Sequence, residues 1–552
     1  MWRSRWRLPP IRLQFAAMQG AQKLTPLDAS FLHLETPRTH MHIGGAAIFE
    51  PSPLGTGRAL YDGLVRAIAS RLDLMPRYRQ KLAFVPLRLD TPVWVDDPDF
   101  NMSNHLLRAA LPKPGGDQEL QDLIGRVFSR QLDRRRPLWE IYIVEGLRDG
   151  RWALLTKSHH AMVDGVSNLE LATILLDTEK EPGPQPFGVS RWAAREAPSG
   201  MSLLINSLRE RVTRPARLLS AARAVAGQPG RLANALRDTA SGLVSMAEHM
   251  GASKSPINGR TGPTRSYAYS RFPLADFRLI KGAFGGTIND VVLAVVAGGL
   301  RHFLIARGLD PDDEQQALQA LCPVSIRDDS ERNALGNRLA MLLVKLPIRE
   351  ADPERRMAAV RTTVDGLKAR KQAVGADFLL NLAGFAPSTL HAMVARASLR
   401  QIAFNLIVTN VPGPQSALYC QGAKLVEVFP IAFLYDGQEL AIAIFSYSGT
   451  LNFGYLVDAQ GMSDVNVFAQ CVEEGLRELV EAAAEVRGAE QAPAKTSTGR
   501  RKRAAGSPPA VIAQEAATER QPGKPASTTG RKPSPAKAAR KRASNSPKRA
   551  SA

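Results

Sequence analysis

Cysteine is almost missing from this chain: there are three in 552 residues, Cys322, Cys420 and Cys471. They are far apart, odd in number and form no Cys-x-x-Cys pair. That argues against a disulfide framework or a zinc site and fits a reducing compartment. Aromatic residues are few, at 6%. Long hydrophobic runs are lacking as well. The best, Ile288–Leu300, is broken by Asn289 and Asp290 and is too short to span a bilayer, so no transmembrane helix is expected. Met1–Arg12 has Trp and Arg but no apolar h-region or small-residue cleavage site, which makes it a poor signal peptide. Met18 is an alternative start.

The apolar fraction, 44%, is that of an ordinary globular protein and allows sizeable cores. At about 100–200 residues per domain, the length suggests two large domains plus extras. The net charge of +20 is unevenly placed. Arg487–Ala552 holds 16 Lys/Arg against 3 Asp/Glu, so about +13 of it belongs to the tail. This tail of Ala, Pro, Ser, Lys and Arg shows no apolar periodicity and is expected to be disordered.

Between the ends, helical and strand patterns alternate. Thr25-Pro26 reads as a helix N-cap with proline at the first helical position. Met41–Phe49 reads as a buried strand, and Leu60–Leu72 and Gln118–Leu132 as helices. Leu138–Leu147 and Trp152–Ser158 flank an Asp149-Gly150 turn signal and predict a β-hairpin. A helix follows Gly165, with Val166, Leu169, Ala172 and Leu176 on one face. Residues 186–265 are rich in Pro, Gly and Arg, with amphipathic patches such as Leu203–Leu208; they read as a helical connection. The later region predicts helices over Val291–Arg307, Asp352–Lys371 and Val465–Val486. Its predicted strands are Leu339–Leu346, Phe404–Asn410, Leu440–Tyr447 and Leu451–Val457. Strands mixed with helices in both halves indicate α/β domains.

The chemistry concentrates in His159-His160-Ala161-Met162-Val163-Asp164-Gly165, at the end of the hairpin's second strand. Successive side chains of a strand point to opposite faces, so only one of the two histidines can face a given cavity. The other must support structure or be bonded within the protein. A neutral imidazole offers one donor and one acceptor nitrogen near physiological pH, which suits a general base. Taking a proton from an alcohol that attacks a thioester needs no Ser or Cys nucleophile, and such a base contributes roughly 10²–10⁴ in rate. For two adjacent histidines alone, a core pair closing a strand end is the plainer reading. A zinc site is weaker, since the two point apart and neither His-Glu-x-x-His nor cysteine partners are present.

The whole string HHxxxDG, after a strand and before a helix, resembles the signature of the chloramphenicol-acetyltransferase-like superfamily. Further segments are similar to the bacterial wax ester synthase/diacylglycerol acyltransferase family: Leu24–Pro37, Met75–Leu82, Trp94–Phe100, Pro137-Leu138-Trp139, Thr287–Ala294, Pro323–Arg327, Leu335–Arg338, Thr409–Pro414 and Asp436-Gly437-Gln438. They follow the family's order over roughly residues 20–485.

The resemblance implies two α/β sandwich lobes with the active-site channel between them. These are placed at 20–185 and 266–486, joined by 186–265 and flanked by an extension at 1–19 and a tail at 487–552. It implies acyl-coenzyme A as donor and diacylglycerol or a long-chain alcohol as acceptor. His160 resembles the base, and His159 its supporting neighbour. Asp164 is expected to pair with an arginine, Arg327 being the candidate, and Gly165 to supply φ > 0 and room for a passing chain. Pro137, Leu138 and Trp139 are expected to support the site, with Trp139 as packing. Asn289 and Asp290 read either as a helix N-terminus, Thr287 or Asn289 capping, or as oxyanion donor and channel wall. Thr409–Pro414 reads as a loop crossing between lobes, and Gly336-Asn337 as a turn. No metal and no bound cofactor are expected.

The basic tail could meet anionic lipid or, non-specifically, nucleic acid. The expected location is cytoplasmic, peripheral at the inner membrane or lipid inclusions. The rival readings are a condensation-type enzyme using carrier-bound donors, disfavoured because no carrier domain accompanies it, and a non-catalytic lipid- or nucleic-acid-binding protein acting through the tail.

Overall fold

A computed structural model describes residues 22–162, 175–181, 192–209, 255–313, 317–325, 339–369 and 404–491. Asp164, Gly165, Arg327, Gly336, Asn337, the helix expected after Gly165 and nearly all of the basic tail lie outside the described residues. Strands are numbered β1–β15 and helices α1–α7 along the chain.

Two six-stranded sheets carry the fold. The first has the order β12 (Tyr419–Cys420), β13 (Ala423–Ile431), β2 (His42–Phe49), β7 (Trp152–His159), β6 (Trp139–Glu145), β5 (Leu106–Ala110). The second runs β10 (Leu339–Leu346), β9 (Leu318–Ser325), β11 (Leu406–Pro412), β14 (Leu440–Tyr447), β15 (Thr450–Asp458), β8 (Arg265–Pro273). A small sheet joins β1 (Gln22–Lys23), β4 (Val93–Asp96) and β3 (Gln80–Ala83).

The predicted hairpin forms. β6 and β7 pair antiparallel from Trp139 opposite Ser158 to Val144 opposite Ala153. Asp149 and Gly150 make its turn at φ of 61° and 68°, a conformation these two residue types tolerate best.

The lobes are not successive stretches of chain. After β11 in the second sheet, the chain crosses at 413–418 and lays β13 against β2 in the first sheet. It returns through 432–439 to β14. The expected crossing at Thr409–Pro414 is therefore the end of β11 and the turn after it. The strand at Ala423–Ile431 was not among those predicted, because its alternation is interrupted by a bulge between Leu425 and Glu427.

Two cores result. Ala441 and Ala443 of β14 face the core between the sheets, while Leu440, Ile442 and Ile444 face the helical layer. Both faces are covered, which explains an almost continuous apolar run rather than an alternating one. The helical layer is built from α4 (Leu274–Phe284), α5 (Ile288–Ala306), α6 (Pro353–Ala369) and α7 (Val465–Gln491). From Val291 to Leu300, α5 is apolar all round because that stretch is enclosed. With 19 residues it extends beyond the run read from the sequence, far enough by length and composition to cross a bilayer, but 72% of that window is buried in the protein. Gly299 of α5 lies against Val472 and Gly475 of α7, and a Cβ on Gly299 would stand 2.7 Å from Val472 Cγ2. α7 runs to Gln491, five residues past the boundary expected at Val486, because its Ala- and Glu-rich end still favours helix.

Polar contacts tie the sheets across the inner core. The Tyr267 hydroxyl donates to Pro430 O at 2.8 Å, and the Arg265 N–H to Ser129 Oγ at 2.8 Å.

Candidate active site

β2 and β7 place the histidines. His42 lies opposite His159 in the antiparallel register. The strands come unusually close two residues further on, where a Cβ on Gly44 would stand 1.9 Å from the Thr156 carbonyl oxygen. β7 ends at His159, and His160 opens a tight turn of three residues, His160–Met162. The two imidazoles therefore part, as strand alternation requires.

His159 is fully buried and bonded inside the protein. Its backbone N–H donates to Leu138 O at 3.0 Å, and its Nδ1 accepts the Ala161 N–H at 3.0 Å. An Nδ1 that accepts leaves the ring proton on Nε2, which lies 3.4 Å from Glu35 Oε2. Burial lowers the pKa of His159, so the ring is neutral, although Glu35 pulls the other way.

His160 stays partly exposed. Its backbone N–H donates to Met41 O at 2.8 Å. The ring stacks on Phe31 of α1 (Pro26–Leu34), with centroids 4.0 Å apart, and meets the edge of Phe433 at 5.3 Å. Phe433 comes from the 432–439 return and continues into Tyr435, 5.0 Å away, and Phe404, 5.6 Å from Tyr435. Nδ1 of His160 is buried without a hydrogen-bond partner, which leaves Nε2 as the other ring nitrogen. Burial among these apolar rings pushes its pKa down to about 4. A neutral, partly open imidazole at the seam of two lobes can accept a proton from a bound hydroxyl.

Pro137, Leu138 and Trp139 are buried at the start of β6. Leu138 supplies the carbonyl that holds His159. Trp139 stacks on His105 at 4.6 Å, and its Nε1–H donates to Tyr78 O at 2.8 Å. Its contacts are those of packing.

Asp290 closes a capping box. Thr287 is the N-cap, and Asp290 Oδ2 accepts the Thr287 N–H at 2.7 Å and hydroxyl at 2.8 Å. That occupies Oδ2 at the start of its own helix, while Oδ1 is buried without a hydrogen-bond partner. Asn289 is half-buried beside it.

Sequence reasoning passed over Glu35, His42, Arg134, Lys157, Phe31 and Phe433. Glu35 had a signal: it caps the C-terminal end of α1, where the helix dipole disfavours a carboxylate, so something else must hold it. Lys157 is fully buried on β7 and donates to Val127 O at 3.0 Å and Arg130 O at 2.5 Å, satisfying carbonyls at the end of α3 (Asp117–Phe128) and beyond. Burial lowers its pKa to about 8.

The fold has counterparts among solved structures. The first condensation domain of the calcium-dependent antibiotic synthetase is similar in fold, with TM-score 0.52 and 17% identity over 85% of this chain and 98% of that one. The wax ester synthase/diacylglycerol acyltransferase from Marinobacter aquaeolei VT8 has TM-score 0.59 and 26% identity, over 84% of this chain and 100% of that one. The fold is the two-lobed, chloramphenicol-acetyltransferase-like one, and the family match makes the protein an acyltransferase.

The family follows from sequence. Residues 24–292 match the wax ester synthase/diacylglycerol acyltransferase catalytic domain, and 335–480 the C-terminal domain of the same family. A Mycobacterium tuberculosis protein named a probable diacylglycerol O-acyltransferase is 33% identical over 462 residues, 83% of this chain and 95% of the relative. A second from the same species, also carrying that activity in its name, is 34% identical over 489 residues, 86% of this chain and 92% of the relative. The chain belongs to the wax ester synthase/diacylglycerol acyltransferase family.

Proposed function

We propose that the protein transfers a long-chain acyl group from acyl-coenzyme A to diacylglycerol, to a long-chain fatty alcohol, or to both, with His160 as general base. The observation that carries this reading is the setting of His160. Its imidazole is neutral and partly exposed, with Nδ1 enclosed, and the peptide groups on both sides of it are held by Met41 O and His159 Nδ1. The names of the relatives support the donor and the acceptors.

The reaction is one displacement without an acyl-enzyme. His160 takes the hydroxyl proton, and the alkoxide oxygen bonds to the thioester carbonyl carbon. The C–S bond breaks, and the coenzyme A thiolate leaves and takes the proton back from the imidazolium. Acyl-coenzyme A enters as substrate, and the mechanism needs neither a metal nor a bound cofactor. Phe31, Phe433 and Tyr435 supply an apolar wall beside the base. Asn289 is assigned to the oxyanion or the opposite channel wall, and the Asp164–Arg327 pair to fixing the loop after His160.

Contact with a lipid surface belongs to the same reading, since both acceptors are insoluble in water. Its support is an exposed apolar stripe in the helical residues 200–209: Met201, Ile205 and Leu208 are 65%, 56% and 48% exposed at helical spacing. Leu87, 83% exposed, follows Pro86, which stands 3.4 Å from a Cβ built on Gly200. The experiment is incubation with palmitoyl-coenzyme A and either hexadecanol or dipalmitoylglycerol, measuring thiol release and ester product. No acceptor-dependent thiol release from folded protein would overturn the reading.

A further inference from the structure

Among the buried charges that the proposed acyl transfer does not use, Glu35 lies nearest the histidine pair in its contacts. The Glu35 side chain is 2% exposed. Its Oε2 accepts Arg134 Nε at 2.9 Å and a second, shorter bond from Arg134 Nη2. His42 Nε2 stands 3.3 Å from Oε1, and His159 Nε2 3.4 Å from Oε2. Among the described residues, the fields of His40 and Lys157 also reach it. Burial pushes the Glu35 carboxyl up, but the contacts with His159 and His42 outweigh it, and the group is held below the usual carboxylate range. Such a carboxylate is ionised throughout the working pH range.

Its contacts lead to His160 along two routes. Along the first route, Glu35 Oε2 lies 3.4 Å from His159 Nε2, close enough for its charge to favour the ring proton on that nitrogen, while Nδ1 accepts the Ala161 N–H. That amide directly follows His160 in the chain. Through α1, Glu35 donates its own backbone N–H to Phe31 O at 3.1 Å, while its partner Arg134 donates to Leu32 O at 3.0 Å. Phe31 is the ring stacked on His160. The same residue thus governs the backbone behind the base and the ring against its face.

We propose that Glu35 is a positioning residue for acyl transfer. It fixes His159 as the Nε2–H tautomer and ties α1, with Phe31, to the strand that ends at His160. The inference rests on His160 being the base, so His160→Ala is run beside every variant. If His160→Ala keeps its turnover, that reading fails. If His160→Ala is inactive while Glu35→Gln is normal, only the present inference fails.

The test is the steady-state kinetics of Glu35→Gln in the full chain, with palmitoyl-coenzyme A and dipalmitoylglycerol. Glutamine keeps the shape and removes the charge. A misplacement on the order of 1 Å lowers rate about 10²-fold, so kcat should fall by about that factor with the donor KM within about threefold. A purely structural role would instead reduce the folded, active fraction and leave kcat per active site unchanged. Because His159 is one of the two routes, Glu35→Gln combined with His159→Gln should lose less than the sum of the two single losses. Additive losses, or normal kcat in folded Glu35→Gln, overturn the proposal.

Should Glu35→Gln fail to fold, Arg134→Met serves. It removes both bonds that hold Glu35 Oε2 and the bond to Leu32 O, so kcat should fall with the donor KM within about threefold. Unchanged kcat in the folded variant overturns the proposal.

Discussion

The imidazole of His160 lies against the ring of Phe31, with centroids 4.0 Å apart and planes 25° from parallel. The stacking fixes one face of the proposed base, and the edge of Phe433 closes a second side. Replacing His160 by Ala should lower turnover by roughly 10²–10⁴ while the protein stays folded. Thiol release from palmitoyl-coenzyme A in the presence of acceptor, read beside circular dichroism, checks it.

The same apolar contacts set the pH response. Burial holds His160 at about 4, against about 6.5 for a free imidazole. The neutral ring is the base, so kcat/KM should stay level from neutral pH down to about 5 and fall as pH passes through about 4. A base with an ordinary pKa would put that limb near 6.5. The linkage has a definite sign. Between the two values the unfolded chain binds the proton and the folded one does not, so this group's contribution to stability is present above about 6.5 and is lost as pH falls towards 4. Urea midpoints at several pH values report it.

Phe433→Ala removes the ring at the edge of His160 and leaves a void in the inner core, where Phe433 is 7% exposed. The expected loss of stability is about 3–5 kcal/mol. Water admitted beside the imidazole should raise its pKa, moving the acid limb of kcat/KM upwards. A stable variant with an unmoved limb would show that the ring does not set the polarity of the site.

Gly44→Ala would set a Cβ 1.9 Å from the Thr156 carbonyl oxygen. That atom is backbone and cannot rotate away, so β2 and β7 must part at the strand pair that carries His42 and His159. A cost near the upper end of overpacking, about 3 kcal/mol, is expected in urea unfolding.

For the lipid surface, Ile205→Glu with Leu208→Glu should reduce co-sedimentation with anionic vesicles without changing thiol release from soluble short-chain substrates. If binding survives these substitutions and is lost in a chain ending at Ala492, the basic tail is the anchor.

The sequence by itself determined many of the elements and pointed to the family. The β6–β7 hairpin was legible because β-branched and aromatic runs flank an Asp-Gly turn, and the histidine pair because its spacing from Asp164 and Gly165 carries a signature. The N-terminal capping of α5 was legible because Thr287 and Asp290 are local partners. Only the tertiary structure decided what surrounds the base. Glu35 and His159 are 124 residues apart, Phe31 and Phe433 further still, and no periodicity links them. Chain crossing decided the rest. β13 belongs to the first sheet although its neighbours in sequence belong to the second, because hydrogen-bond pairing and burial of both sheet faces are settled between distant segments. Local patterning states which face of a strand is apolar; it does not state which strand will cover it.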